Sequence, residues 1–409
     1  MGKARNRIDP PDVEVVTEAQ HLDHACATLR EAGQFAFDTE FIKEDRFLPV
    51  VCLLQAATHD RVFLIDPIED GLDVTPVWDL VADPDVEVIV HAGAEDLSLC
   101  QQAIHRPPTC VFDVQVAAGL VGYDYPLSLM RLVRATLGVR LRKSQTLSDW
   151  QRRPLSETQL AYAVEDVAYL PAIHKLLKRR LARHARKSWA NEEFRRLEQV
   201  AALQPETRSA LKRIKGTGSL DPRALAAARE LAIEREALAA QLNRPVRVVL
   251  RDHLLVEIAR RGWTQPQDIR TLRGISLSDR ALRQLCAAVQ RAQALPVEQC
   301  PKSSAAVEET PRESMAISLI TAIIRDFCLE HHLAYGLVTS KHDIRALVVS
   351  HVRGEEPASL PPLMRGWRKK AFGPLLTQVL GGQCAVRLTT TPDGPGLAYN
   401  EAATEADAG

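Results

Sequence analysis

The alternation of apolar and polar positions is clearest in residues 35–41, where aromatic side chains alternate with small or acidic ones. This period of two predicts a β-strand. Successive side chains of a strand point to opposite faces, so Asp38 and Glu40 share one face while the aromatic residues and Thr39 share the other. The pattern therefore predicts a strand that packs its aromatic face into a core and presents two carboxylates together.

Two further segments place acidic residues at the start or on one face of a predicted helix. The apolar run 86–90 predicts a strand, and after a short turn Asp96 lies in the opening of a helix. A capping-box sequence over residues 156–159 predicts the start of another helix. Tyr162 and Asp166 are four residues apart in that helix, so they share one of its faces.

Carboxylates gathered at one place repel one another unless cations lie between them. Mg²⁺ and Mn²⁺ are hard cations, and Mg²⁺ is usually held by a few carboxylates, water and substrate phosphate. Two such ions about 3.5–4 Å apart can activate an attacking water and stabilise the leaving oxygen. Each group alone has a structural interpretation: a solvated strand face for Asp38 and Glu40, a helix-dipole interaction for Asp96, and core packing for Tyr162. Their occurrence together favours a two-metal phosphodiesterase that cuts nucleic acid.

Length and composition set the broad class. A chain of 409 residues is too long for one core and predicts two or three domains. It has no apolar run of membrane-spanning length and no leader-like amino terminus, so we expect an intracellular protein without a membrane association. The 8 cysteines are scattered, without a CxxC pair or a zinc pattern, which favours a reducing cytoplasm.

The net charge of zero conceals an acidic and a basic stretch. Residues 11–100 carry 20 acidic and 4 basic residues, whereas residues 101–300 carry 34 basic and 19 acidic ones. The basic stretch contains the candidate phosphate-contacting residues Arg142, Lys143, Arg152, Arg153, Lys178 and Arg179. Such contacts would give salt-dependent, sequence-independent affinity. Because these basic residues are distributed around the helix rather than along one face, a solvated helix surface is the alternative interpretation. An aromatic content of 5% predicts little base stacking.

These segments resemble ribonuclease D, a family of the DEDD superfamily of 3′→5′ exonucleases. The resemblance covers about residues 12–190 and extends beyond the acidic residues. It is carried by 37–41 and 49–55, by 90–97 and 112–115, and by 143–145, 149–150 and 153–155, with the Tyr-x-x-x-Asp of 162–166 typical of the branch that uses tyrosine.

The resemblance implies a fold and a role for each residue. The fold would be an α/β domain of the ribonuclease-H-like type, with a mixed central sheet flanked by helices and carboxylates at the strand ends. Asp38 would bridge two divalent cations, Mg²⁺ or Mn²⁺, with Glu40 and Asp166 completing the first site. Asp96 would act on the second ion, and Tyr162 would orient the attacking water. The expected products are nucleoside 5′-monophosphates released from a 3′ end.

The remainder of the chain predicts helices. Residues 205–294 resemble an HRDC domain, a helical module shared with some helicases, which by analogy would help to hold structured RNA; a packing module is the alternative. The expected boundaries are an exonuclease domain at 12–200, the HRDC domain at 205–294, a linker at 296–312, an all-helical domain at 313–397, with a second HRDC-like module as one alternative, and a disordered tail at 398–409.

The leading function hypothesis is a metal-dependent 3′→5′ exoribonuclease that trims tRNA precursors and other small structured RNAs. Its partners would be RNAs with single-stranded 3′ ends, with no obligate protein partner and a cytoplasmic location. An exonuclease that acts on DNA is the alternative within enzymes. A non-catalytic RNA-binding protein is a third hypothesis, which the five intact residues of the predicted site argue against.

Overall fold

The computed structural model of the chain describes residues 11–43, 46–141, 148–203, 214–301, 309–354, 360–392 and 394–401. The amino-terminal domain is built on a six-stranded sheet. Its strands are β1 (Asp12–Val16), β2 (Gln34–Ile42), β3 (Val50–Ala57), β4 (Arg61–Ile65), β5 (Glu87–Val90) and β6 (Val111–Asp113).

The sheet is mixed, with the order β1-β4-β3-β2-β5-β6. Strand β3 runs antiparallel to β2 and β4, whereas the pairs β1–β4, β2–β5 and β5–β6 are parallel. The predicted mixed sheet is therefore confirmed. Because β2 and β5 are parallel, the end of β2 that carries Asp38 and Glu40 lies at the same edge as the end of β5 that leads towards Asp96.

Helices cover both faces of this sheet. They are α1 (Ala19–Ala32), α2 (Thr75–Val81), α3 (Ala94–Ile104), α4 (Val114–Gly119), α5 (Leu129–Leu137), α6 (Glu157–Ala168), α7 (Leu170–Arg183) and α8 (Lys187–Ala202). One face packs Phe35 and Phe37 of β2 against α1, α2 and α3, with Trp78 in edge contact with Phe37. The other face packs against α4 to α8.

A group of helices with its own core follows. It contains α9 (Pro222–Leu242), α10 (Val246–Val249), α11 (Asp252–Arg261), α12 (Pro266–Arg270) and α13 (Asp279–Gln293). Leu231, Leu255 and Leu285 are fully buried in this core. Asp221 caps α9 by accepting from the backbone N–H of Ala224 at 2.8 Å. The predicted helical periodicity of this region is confirmed.

The carboxy-terminal part departs from the all-helical prediction. It contains α14 (Pro311–Glu330), α15 (Tyr335–Val338), α16 (Lys341–Arg353) and α17 (Gly366–Leu380), then an antiparallel hairpin of β7 (Cys384–Thr391) and β8 (Gly394–Glu401). The hairpin occupies residues 398–401 of the predicted disordered tail, and that part of the prediction was wrong. Residues 402–409 lie outside the described residues. The predicted linker at 296–312 also ends too late, because α14 already begins at Pro311.

This carboxy-terminal part packs on the amino-terminal domain. Trp367 of α17 stacks on Trp189 of α8, with 4.6 Å between ring centroids, and its indole Nε1 donates to the buried Glu193 at 2.8 Å. The guanidinium of Arg368 also donates to Glu193. Buried Arg186 donates to the carbonyl oxygens of Leu120 and His332. One continuous apolar core therefore joins the sheet to α14 and α17.

In the part of the chain that the structure describes, no helix has both the length and the apolar composition needed to cross a bilayer.

Candidate active site

Strand β2 presents two carboxylates on one face, as its alternation predicts. Asp38 lies opposite Gln55 of β3, and Glu40 lies opposite Leu53, with a register shift directly after Glu40. On the other face Phe37 is buried, and the hydroxyl of the buried Thr39 donates a hydrogen bond to Asp96. Thr39 is a residue whose part in the site the sequence did not reveal, since its partner lies 57 positions further along the chain.

Helix α3 brings Asp96 to this edge of the sheet. Asp96 lies in its first turn and is buried. The chain passes tightly from β5 into α3 at Gly93, where a Cβ atom would lie 2.6 Å from the Cβ of Val90. Asp113 braces the same turn, because its carboxylate accepts from the backbone N–H of Gly93 at 3.3 Å and caps α4 through Gln115 at 2.7 Å. Glycine is therefore required for the approach that places Asp96.

Helix α6 supplies Tyr162 and Asp166. The predicted capping box is present: Ser156 accepts from the backbone N–H of Gln159, whose side chain accepts from the backbone N–H of Ser156 at 3.0 Å. Tyr162 and Asp166 share a face, and the Tyr162 hydroxyl donates a hydrogen bond to the Asp166 carboxylate. The ring of Trp150 lies 6.1 Å from that of Tyr162.

Three of these carboxylates converge. One oxygen each from Asp38, Glu40 and Asp166 lie within 4.8 Å of one another. Asp96 is close enough that its charge raises the pKa of Asp38 and of Glu40. The structure thus brings together all five residues predicted for the site.

Burial and mutual repulsion make the cluster hold protons. Burial, followed by the charges of Asp96, Asp166 and Glu40, raises the pKa of Asp38 well above its ordinary value. Burial raises the pKa of Glu40 to about 8, with contributions from Asp166 and Asp96. Burial also raises the pKa of Asp166 to about 7, against the lowering effect of the Tyr162 hydrogen bond. A bound cation would offset the repulsion between these buried carboxylates and favour their ionised forms.

The donor set fits a hard divalent cation. All its ligand atoms are carboxylate oxygens, which Mg²⁺ and Mn²⁺ prefer. Oδ2 of Asp166 is buried and has no hydrogen-bond partner among the described residues. Nearby His91 has its pKa lowered to about 4 by burial, so its imidazole is neutral at pH 7 and adds no positive charge to the site.

The predicted phosphate-contacting residues do not form one group. Arg142 and Lys143 lie outside the described residues. Arg152 is exposed and lies two residues after Trp150, the neighbour of Tyr162. Arg153 points inwards: its guanidinium donates to both carboxylate oxygens of buried Asp66 and to the carbonyl oxygens of Cys52, Trp150 and Arg152.

Arg153 therefore has no N–H left for a phosphate, and its inclusion in the phosphate-contacting set was wrong. The physical reason is that a guanidinium has five N–H donors, and the interior of this domain engages all of them. The sequence alone does not indicate that Arg153 pairs with a carboxylate 87 positions away.

Lys178 and Arg179 lie at the opposite edge of the sheet. Lys178 donates to Glu87 at 2.8 Å, and Glu87 pairs with Gln34, four residues before Asp38 on β2. At about 3.3 Å per residue this is a separation of roughly 13 Å along the strand. The side chains of Lys178 and Arg179 border a cavity of about 700 Å³, which is also lined by Lys187, Arg195 and Glu198.

The chain is similar in sequence to known nucleases over most of its length. Residues 13–182 match the model of a 3′–5′ exonuclease family, and residues 224–289 match the HRDC domain. The chain is 33% identical over 367 residues to ribonuclease D of Gluconacetobacter diazotrophicus, covering 89% of this chain and 91% of that one. It is 30% identical over 380 residues to ribonuclease D of Bartonella henselae, covering 92% of each.

A solved structure agrees over the same extent. The crystal structure of Escherichia coli RNase D, described as an exoribonuclease involved in structured RNA processing, superposes with a TM-score of 0.75 at 27% identity, covering 91% of this chain and 99% of that one. The sheet and its acidic cluster thus define a 3′–5′ exonuclease of the DEDD type. The chain belongs to the ribonuclease D family and is a 3′–5′ exoribonuclease.

Proposed function

We propose that this exoribonuclease uses two divalent cations, Mg²⁺ or Mn²⁺, to trim the 3′ ends of tRNA precursors and other small structured RNAs, releasing nucleoside 5′-monophosphates in the cytoplasm. The observation that carries the proposal is the convergence of Asp38, Glu40 and Asp166, with Asp96 and Tyr162 beside them. The cytoplasmic location is supported by eight cysteines that are all free.

The resemblance to ribonuclease D assigns the roles, and the positions of the side chains support them. Asp38, Glu40 and Asp166, whose oxygens converge, would hold the first cation, and Asp38 would also serve the second. Asp96, whose carboxylate accepts a hydrogen bond from the Thr39 hydroxyl, would act on the second cation. When bound, such a pair of ions activates a water and stabilises the leaving oxygen of a phosphodiester.

Tyr162 orients rather than deprotonates the attacking water. An ordinary phenol has a pKa near 10 and is a poor base at neutral pH. Its hydroxyl is fixed by the hydrogen bond to Asp166 and by the position of its ring near Trp150. A fixed hydroxyl at the edge of the cluster can hold a water in line with the bond that breaks.

Two surfaces support a structured RNA substrate. Phe47, in the segment after β2, packs against the core of the HRDC domain, so that domain lies next to the strand that carries Asp38 and Glu40. Arg152 is exposed in the segment that follows Trp150, the neighbour of Tyr162, whereas Lys178 and Arg179 lie at the far edge of the sheet. We propose that Arg152 contacts the 3′ strand and that Lys178 and Arg179 contact phosphates of the RNA body; Arg142 and Lys143 stay predictions.

The substrate is tested with two labelled molecules of matched length, a tRNA precursor with a 3′ trailer and a single-stranded DNA. The proposal predicts that the trailer is shortened stepwise and faster than the DNA. Faster shortening of the DNA would favour the alternative of a DNA exonuclease. Tight RNA binding without shortening in Mg²⁺ or Mn²⁺ would favour a non-catalytic RNA-binding protein.

A further inference from the structure

Gln55 lies directly beside Asp38 in the sheet. The two residues face each other across the antiparallel pair of β2 and β3, so their side chains point to the same face. Apart from Asp38, the nearest neighbours of Gln55 on that face are apolar: Leu53 and Ala57 on β3, and Leu64 on β4. Gln55 is fully buried, with 0% of its surface exposed.

Among the described residues, neither end of this buried amide has a partner. Oε1 and Nε2 of Gln55 form no hydrogen bond with any residue that the structure describes. A second buried glutamine in the described part of the chain, Gln159, has both ends engaged: its Oε1 accepts from Ser156, and its Nε2 donates to the carbonyl oxygen of Asp149 at 3.1 Å. A buried amide without partners lowers stability, and an apolar side chain of the same shape would be more favourable.

The strand neighbour of Gln55 explains the presence of an amide here. Cβ atoms of directly opposed residues lie about 4.5–5.5 Å apart, which a glutamine side chain can span. An ionised carboxylate has lone pairs for about four hydrogen bonds or metal bonds. A carboxylate that holds a cation uses some of these positions for the metal and leaves others for a hydrogen-bond donor beside it. Gln55 faces Asp38, and its Nε2 is a donor without another partner among the described residues.

We propose that Gln55 is a positioning residue for the metal-bound site, whose Nε2 donates to the carboxylate of Asp38 when that side chain holds a cation. The inference rests on the proposed metal site. The amide would fix the orientation of the Asp38 carboxylate that holds the cation. In the absence of the cation it is an unpartnered polar group, so the same residue lowers the stability of the metal-free protein.

The test is Gln55→Met, which keeps the length and volume of the side chain and removes the amide. Without metal, we expect the Tm of the variant to rise by roughly 2–4 °C, since a buried unpartnered amide is removed. With Mg²⁺, we expect kcat on RNA to fall, or the half-saturating Mg²⁺ concentration to rise, by about tenfold or more. Gln55→Asn, which keeps the amide on a shorter side chain, should lie between the wild type and Gln55→Met.

Gln159→Met is the matched control, because it removes a buried glutamine whose amide is engaged. Its Tm should fall both with and without Mg²⁺. The inference is overturned if Gln55→Met lowers the metal-free Tm as Gln159→Met does or fails to fold, because Gln55 would then be a structural residue. It is also overturned if both Gln55 variants retain wild-type kcat and Mg²⁺ dependence. A wild type without metal-dependent activity would instead contradict the proposed function.

Discussion

The raised pKa values of the acidic cluster predict that Mg²⁺ binding weakens strongly as the pH falls. Glu40 has a pKa of about 8 and Asp166 one of about 7 in the metal-free protein. Mg²⁺ binds only the ionised carboxylates, so it must displace whatever protons they hold. Between pH 8 and pH 6, protonation of Glu40 alone lowers the apparent affinity about 50-fold, and inclusion of Asp166 raises this to about 500-fold.

Protonation of the same carboxylates should affect the stability of the metal-free protein in the opposite direction: it weakens Mg²⁺ binding but stabilises the fold. Because the folded-state pKa of Glu40 lies above its ordinary value of 4.5, the folded chain holds more protons than the unfolded chain between about pH 4.5 and 8. The contribution of Glu40 to stability is therefore complete below that window and is lost as the pH rises through it. The gain in Tm on adding saturating Mg²⁺ should consequently be larger at pH 8 than at pH 6.

Thermal melts across a Mg²⁺ titration at pH 6, 7 and 8 measure both effects. Calorimetry in buffers of different ionisation enthalpy then measures the protons released, for which we expect about one or two per protein at pH 7. Asp23→Asn is a suitable control, because it removes an exposed carboxylate of α1. A half-saturating concentration that changes less than about threefold between pH 8 and pH 6, or binding without proton release, would refute the reasoning.

Three further changes test other parts of the account. Tyr162→Phe should lower kcat by about 100-fold with little change in Tm, since it removes an orienting hydroxyl and keeps the ring; unchanged kcat would exclude that role. Arg153→Met should lower the free energy of unfolding by ~3–5 kcal/mol in urea melts, because it leaves Asp66 buried and unpaired; a loss below about 1 kcal/mol would contradict the buried pair. Replacing Arg179 and Lys187 with Glu should weaken RNA binding and reduce the slope of log K against log salt by about two; an unchanged slope would remove that edge from the RNA-contacting surface.

The local part of the site could be predicted from the sequence. The period of two places Asp38 and Glu40 on one face of β2, and the spacing of four places Tyr162 and Asp166 on one face of α6, because both depend only on backbone geometry. The hydrogen bond from Thr39 to Asp96 depends on the pairing of distant segments, which a single sequence does not encode in any short pattern.

Two features of the fold were missed for different reasons. The β7–β8 hairpin has a local signal, since a strand-forming run that ends at Thr391 is followed by a Pro-Asp-Gly turn sequence, but the all-helical prediction for 313–397 was extended over it. The packing of α17 on α8 has no local signal. It depends on Trp367 and Arg368 meeting Glu193, about 175 residues earlier in the chain.

The central claim, that the carboxylate cluster removes nucleotides from a 3′ end with the help of divalent cations, is tested most directly by product analysis. A 5′-labelled RNA is incubated with wild type, Asp38→Asn or Asp23→Asn, each in Mg²⁺ and in EDTA. The account predicts a stepwise ladder and nucleoside 5′-monophosphates from wild type and Asp23→Asn in Mg²⁺, and neither in EDTA nor from Asp38→Asn. Shortening by Asp38→Asn at the wild-type rate, or undiminished activity in EDTA, would contradict it.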